Sequence, residues 1–215
     1  FNYTFNKGEK IGIFGDNGSG KSTLLNIITG DIPCDSGTIV RGENTSIAYY
    51  MQNPVFKDLN MTVLEYIKEA AEIIHMNDGT TLSSGQFLEQ FGFEGKIQHS
   101  PVGTLSGGER KRLYLVRLLI SNPNFLILDE PTNDLDISTT RSLEEAINSF
   151  AGVVLVVSHD RYFLDRVATH ILAFENNSEV KWFEGNWSEY VEWKKNVLGI
   201  DDDHPHKTMY RKLTR

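Results

Sequence analysis

Short apolar runs that end on polar residues recur along the chain. Lys10–Phe14 runs into a glycine-rich loop, Phe125–Leu128 into Asp129 and Glu130, and Val153–Val157 into Ser158, His159 and Asp160. Runs this short, alternating with helical segments, predict buried parallel strands in an α/β layer fold. Ile47–Met51 reads as a further short strand, and the first five residues alternate as a strand does. Sheets of this kind hold ligands at the carboxyl ends of their strands, which is where the three runs place their polar residues.

Between the strands, apolar residues recur at helical spacing. Helices are predicted over Ser22–Thr29, over Glu109–Ile120 (Leu113, Val116, Leu119 and Ile120 on one face), over Ser138–Phe150 (Leu143, Ala146, Ile147 and Phe150) and over Arg161–Val167. Residues 56–100 read as mostly helical, with Thr62–Ile74 the clearest helix, and suggest a helical subdomain over about residues 56–120 inserted in the core. From Asn186, the positions of Trp187, Tyr190, Val191, Lys194, Val197 and Leu198 predict a last amphipathic helix over 186–200, with Asn186 and Glu189 as its capping pair. The segment 201–215 is polar and is expected to be disordered or docked on something.

Composition narrows the function classes. With 40% hydrophobic and 23% charged residues, the 215-residue chain has the means to bury a core. A net charge of −8 argues against a general nucleic-acid coat, though local basic patches stay open. Cys34, the one cysteine, excludes an internal disulfide and an all-cysteine metal site, and suits a reducing cytosolic compartment. No apolar run approaches the ~20 residues that span a bilayer, and the start carries no secretory signal. The chain opens on Phe1 rather than Met, and is expected to be a piece of a longer protein or one whose start is missing.

Two motifs carry chemistry. Gly15-Asp16-Asn17-Gly18-Ser19-Gly20-Lys21-Ser22-Thr23 matches G-x-x-x-x-G-K-[ST] in full. Glycines let backbone N–H groups turn inward around a phosphate chain, and the following helix N-terminus adds its dipole. Lys21 has the reach for the β- and γ-phosphates, and the Ser22 hydroxyl suits Mg²⁺. The strand ending in Asp129-Glu130 supplies two carboxylates: Asp129 suits the Mg²⁺ of a bound triphosphate, and Glu130 suits an attacking water.

With these motifs the chain resembles the ATP-binding cassette (ABC) ATPases. Leu105-Ser106-Gly107-Gly108-Glu109 is similar to the cassette signature, Gln52 stands where the family's Q-loop glutamine does, Leu135-Asp136 falls at the D-loop, and His159 at the switch histidine. The resemblance implies the fold, a P-loop cassette with a mainly parallel core sheet, an antiparallel edge and an inserted helical subdomain, over residues 1–185. It implies ATP and Mg²⁺ as ligands, with Ser22, Gln52 and Asp129 at the metal, and hydrolysis of ATP to ADP and phosphate. Catalysis falls to Glu130, His159, Gln52 and Lys21. Ser106, Gly107, Gly108 and Glu109 would act on ATP held by a second cassette packed head to tail. The family's adenine-stacking aromatic would precede Phe1, and Tyr3 and Phe5 are read instead as core residues.

Within the family, the runs Asp129–Asp136, Ser158–Leu172 and Trp182–Tyr190 are similar to the second cassette of the soluble ABC-F branch, in its Uup-like or translational-throttle-like members. That resemblance implies a cytoplasmic protein with two cassettes whose ATP-driven closure regulates the ribosome, with rRNA as a partner. The alternatives are the ATP-binding subunit of a membrane transporter, which the same runs disfavour, and a Uup-like DNA-associated ATPase. Arg110, Lys111, Arg112 and Arg117 are open between a solvated helix face and a contact to rRNA or the partner cassette; the three tryptophans read as packing for the last helix.

Overall fold

A computed structural model describes residues 2–50, 54–75, 81–133, 135–175 and 180–198. In chain order its elements are β1 (Lys10–Gly15), α1 (Lys21–Thr29), β2 (Ile47–Tyr50), α2 (Val63–Lys68), β3 (Ile73–His75), β4 (Thr81–Ser83), α3 (Ser84–Gln90), α4 (Gly107–Ile120), β5 (Phe125–Asp129), α5 (Ile137–Ser149), β6 (Val153–Val157), α6 (Arg161–Val167), β7 (His170–Phe174), β8 (Val180–Glu184) and α7 (Trp187–Leu198). Six strands form one sheet in the order β2-β5-β6-β1-β7-β8. All its pairings are parallel except that of β8, which closes one edge antiparallel to β7.

Two-residue periodicity sorts the strands' side chains onto two faces. Ile11, Ile13, Ile127, Leu155 and Leu172 bury one face with Leu25 of α1. Leu126, Leu128, Val154 and Val156 bury the other with Leu143 and Ile147 of α5 and Phe163 and Leu164 of α6. Every residue of β6 is buried, as covering on both faces requires. Each such side chain contributes about 1.5–3 kcal/mol. At Gly12 a Cβ would come 3.1 Å from both Leu164 Cδ2 and Ile171 Cδ1, so α6 approaches β1 closely because this residue has no side chain.

A separate apolar cluster joins α2, α3 and α4 through Val63, Ile67, Leu88, Phe91, Phe93, Leu113 and Val116. Arg117 ties α4 to the end of α2: its Nη1 donates to Tyr66 O at 2.7 Å and Glu69 Oε2 at 2.9 Å, and the guanidinium lies 4.2 Å over the Tyr66 ring. The helix predicted over Thr62–Ile74 is shorter. It opens on a reciprocal Thr62/Glu65 capping box but ends at Lys68, and Ile73–His75 pairs antiparallel with Thr81–Ser83. The Ser84 hydroxyl donates to Ala71 O at 2.7 Å and Glu72 O at 3.0 Å, which ties the start of α3 to the segment before β3. The β-branched Ile73 and Ile74, opposite Ser83 and Leu82, suit the extended form.

Residues 2–6 form no strand; they are held by rings, with Phe5 edge-on to Phe125 at 5.3 Å and Tyr3 against Trp182 at 3.9 Å between centroids. At the other end, Asn186 and Glu189 exchange two backbone-to-side-chain bonds of 2.9 Å and start α7. The Ser188 N–H donates to Asp165 Oδ1 at 2.7 Å, and Tyr190 Oη to Glu175 Oε1 at 2.5 Å, which fixes α7 against α6 and the end of β7. Burial pushes the Glu175 carboxyl up, but bonds from Tyr190, Lys194 and Lys181 outweigh it and hold it below the ordinary glutamate value. The segment 201–215 lies outside the described residues.

Candidate functional site

The loop after β1 is shaped by glycines. A Cβ on Gly15 would sit 2.7 Å from both Cβ and the carbonyl oxygen of Phe174, so only glycine lets the chain leave β1 beside β7. Gly18 and Gly20 have φ of 81° and 103°, left-handed values that side-chain-bearing residues avoid. A turn from Ser19 N–H to Asp16 O at 3.2 Å folds the loop back, and Gly20 opens α1. Gly20 has no side chain to accept from the first turn, whereas Thr62, Ser83, Ser106, Asp136, Asp160 and Asn186 cap the other described α-helices. The leading N–H groups of α1 are thus left for an external acceptor.

Lys21 is 8% exposed, and its ammonium donates to Gly15 O at 2.7 Å and Asp16 O at 2.8 Å. Ser22 and Thr23 stand exposed on the first turn of α1. The Ser19 hydroxyl is buried without a hydrogen-bond partner. Uncapped N–H groups, a lysine within its own loop and an orphaned hydroxyl are the donors that a polyphosphate satisfies, so the loop fits ATP.

Asp129 ends β5, and its carboxyl is pushed up by burial while Lys21 pulls it down, which places the two charges within one field. Ser22 and Asp129 together would hold Mg²⁺, an ion that takes one or two protein oxygens and completes its shell from phosphates and water. Glu130 continues the ladder through its N–H to Val157 O at 2.9 Å, then turns with φ of 48°, a left-handed conformation uncommon for glutamate. Its side chain is 13% exposed and Oε1 has no hydrogen-bond partner. Burial raises its carboxyl above the ordinary glutamate value, and the neighbouring His159 only partly opposes this.

His159 follows β6 and faces Glu130 in two ways. Its N–H donates to Glu130 Oε2 at 3.4 Å, and Nε2 stands 3.6 Å from Oε1. Nε2 also lies 3.2 Å from Asn17 Oδ1 in the phosphate loop, a contact that spacing along the chain does not reveal. Residues from three strand ends, Asn17, Glu130 and His159, therefore meet at one point. Gln52 lies outside the described residues.

The predicted signature stands on the helical cluster through Leu105, which is buried there. Ser106 caps α4: its Oγ accepts from Glu109 N–H at 3.3 Å, and Glu109 Oε2 accepts from Ser106 N–H at 2.7 Å, which holds the Glu109 carboxyl below its ordinary value. Ser106 and Gly107 are exposed, and nothing approaches within 4 Å of where a Gly107 Cβ would stand. Among the described residues, no hydrogen bond or ion pair joins Ser106–Glu109 to the phosphate loop. Asp136 caps α5, accepting from Ser138 Oγ at 2.6 Å and Thr139 N–H at 2.8 Å, bonds that hold its carboxyl at about 2. Arg112 of α4 donates to Asp136 Oδ2 at 3.1 Å and lies 5.3 Å over the Phe93 ring. With Arg110 bound to Leu105 O and Gly103 O, and Arg117 to Tyr66 and Glu69, three guanidiniums of the basic run hydrogen-bond within the chain.

Comparison with known proteins agrees with this geometry. Residues 1–133 match the family model described as ABC transporter. The chain is 45% identical over 213 residues to the energy-dependent translational throttle protein EttA of Escherichia coli strain K12, covering 99% of this chain and 38% of that protein. It is 46% identical over 195 residues to the uncharacterized ABC transporter ATP-binding protein YfmR of Bacillus subtilis, covering 91% of this chain and 31% of that protein. The chain thus spans well under half the length of the curated relatives it matches. An archaeal ribosome recycling factor, solved in complex with a ribosomal stalk protein, superposes with a TM-score of 0.69 at 26% identity, over 91% of this chain and 37% of that one. The ATP-binding subunit of an ABC transporter superposes with a TM-score of 0.67 at 22% identity, over 93% of this chain and 86% of that one, a likeness of fold.

Proposed function

This chain belongs to the ABC transporter family of ATP-binding domains, and on that footing we propose that it binds and hydrolyses ATP as one cassette of an ABC-F protein acting at the ribosome. The observation that carries the hydrolytic reading is Glu130: a buried carboxylate with a raised proton affinity, one oxygen unbonded, 3.6 Å from an imidazole. A base of that kind takes a proton from water as the water oxygen attacks the terminal phosphorus. The bond from that phosphorus to the bridging oxygen breaks, and ADP and phosphate result. Lys21 and the N–H groups at the start of α1 bind the phosphates and offset the charge that moves onto the leaving oxygen. His159 and Asn17 orient the water side of the site. Ser22 and Asp129, with Gln52 as the resemblance implies, would hold Mg²⁺, whose charge would offset that of the phosphates.

The ribosomal reading rests on the likeness to the translational throttle protein and to the archaeal recycling factor. Ser106–Glu109, at the start of α4 with Ser106 and Gly107 exposed, would complete the site of a second cassette, so that ATP closes the pair and hydrolysis reopens it. Among the described residues no helix is long and apolar enough to cross a membrane. The test is co-sedimentation of the whole protein carrying Glu130→Gln with ribosomes, in Mg²⁺ with and without ATP. ATP-dependent pelleting is expected. Intact ATP binding without pelleting would overturn the ribosomal role and turn attention to membrane or DNA partners.

A further inference from the structure

His159 is a loosely tethered ring. Its side chain is 48% exposed, and its polar neighbours are Asn17 and Glu130 at 3.2 and 3.6 Å. A half-exposed imidazole held by two long contacts samples other rotamers unless something packs beside it. The apolar neighbour is Phe14, the residue of β1 just before the phosphate loop, whose ring stands edge-on to His159 at 6.2 Å between centroids.

Phe14 is itself held from α7. Trp187, 8% exposed, packs on it at 4.4 Å between centroids. The Arg161 guanidinium, two residues beyond His159, lies 5.8 Å over the Phe14 ring and 5.6 Å over Trp187, and so bridges the pair. The same helix also reaches the start of the phosphate loop by way of β7. Glu175, bonded by Tyr190 and ion-paired with Lys194 at 3.1 Å, directly follows Phe174, whose Cβ and carbonyl oxygen crowd Gly15.

We propose that α7 is a positioning element for hydrolysis, in which Trp187 acts through Phe14 to hold the His159 ring against Glu130 and Asn17. The inference rests on the functional reading above. Among the described residues Trp187 has no hydrogen bond or ring contact to Glu130 or the phosphate loop; its ring contacts are to Phe14 and Tyr190, and its influence on the water runs through Phe14. A change in how α7 sits would alter the rate of hydrolysis while leaving the phosphate cradle of Lys21 and α1 in place.

The test is steady-state ATPase kinetics and fluorescent-ATP binding on the whole protein with Mg²⁺, for Trp187→Ala, Trp187→Leu, Trp187→Phe, His159→Ala and the double variant Trp187→Ala/His159→Ala. Trp187→Ala is expected to lower kcat about tenfold with ATP affinity within about twofold, and Trp187→Phe to restore most of the rate. Because the effect is routed through His159, the double variant should be no slower than His159→Ala alone. Trp187→Leu keeps an apolar side chain on α7 and is expected to show the same loss of kcat, so the test stands even where the alanine variant fails to fold. An unchanged kcat in Trp187→Leu, or losses that multiply in the double variant, would overturn the inference. A parent protein that binds ATP but releases no phosphate would overturn the functional reading on which it rests.

Discussion

Glu130 and His159 stand 3.6 Å apart, Oε1 to Nε2, at the ends of neighbouring parallel strands. The arrangement carries a cost, since Glu130 is a buried carboxylate whose Oε1 accepts no hydrogen bond. With a proton affinity raised mainly by burial, it binds a proton more tightly folded than unfolded, so its charge destabilises the fold above its folded pKa and this penalty fades as pH drops through it. Glu130→Gln is therefore expected to slow phosphate release about 10²–10⁴-fold and to raise the melting temperature at pH 7 to 8 by a few degrees. The gain should shrink at acid pH, once the wild-type glutamate is protonated. Thermal melts of both proteins across pH check the sign. In the wild type the acid limb of kcat/KM, which reports the free enzyme, should lie above the ordinary glutamate value of about 4.3.

Asp136 illustrates the opposite case. Its carboxylate caps α5 and receives Arg112 from α4, with a pKa held at about 2 against an ordinary 3.8. A depressed pKa contributes stability that is present above the ordinary value and is lost as pH falls through the folded one. Asp136→Ala should cost about 1 kcal/mol at neutral pH, the usual loss for a removed helix cap. Urea midpoints for the two proteins should converge between pH 4 and pH 2.

Gly15 and Gly18 both have positive φ, but only Gly15 abuts neighbouring backbone. Gly18→Ala is expected to cost about 1–2 kcal/mol from conformation alone. Gly15→Ala adds a 2.7 Å approach to Phe174 O and should cost more, by about 1–3 kcal/mol of overpacking. Differential scanning calorimetry of the two variants decides the order, and equal losses would mean that the β7 contact yields.

The parallel core was legible because its strands are short, branched and unbroken, Val153–Val157 above all, and such runs leave few other readings. Helix starts were legible where the cap is local: Asn186 and Glu189 sit three residues apart and bond as that spacing suggests. What stayed hidden depends on partners far along the chain. Ile73–His75 leaves the helical pattern to pair with Thr81–Ser83. The bond between Arg112 and Asp136 joins residues separated by 24 positions, and the contact of Asn17 with His159 spans 142. The motifs mark which chemistry the loops can do; the distances between loops come only from the order of strands.

That order has a consequence for synthesis. β1 lies between β6 and β7, so Lys10–Gly15 has neither of its partners until residues 153–174 exist. At the usual pace of translation, roughly 5–20 residues per second, the nascent strand waits on the order of ten to thirty seconds with both edges unpaired. Ile11 and Ile13, fully buried in the finished sheet, face solvent or a chaperone through that interval. The glycine loop proposed to cradle phosphate is thus made before the strands that flank it and is among the last segments of this sheet to acquire its shape.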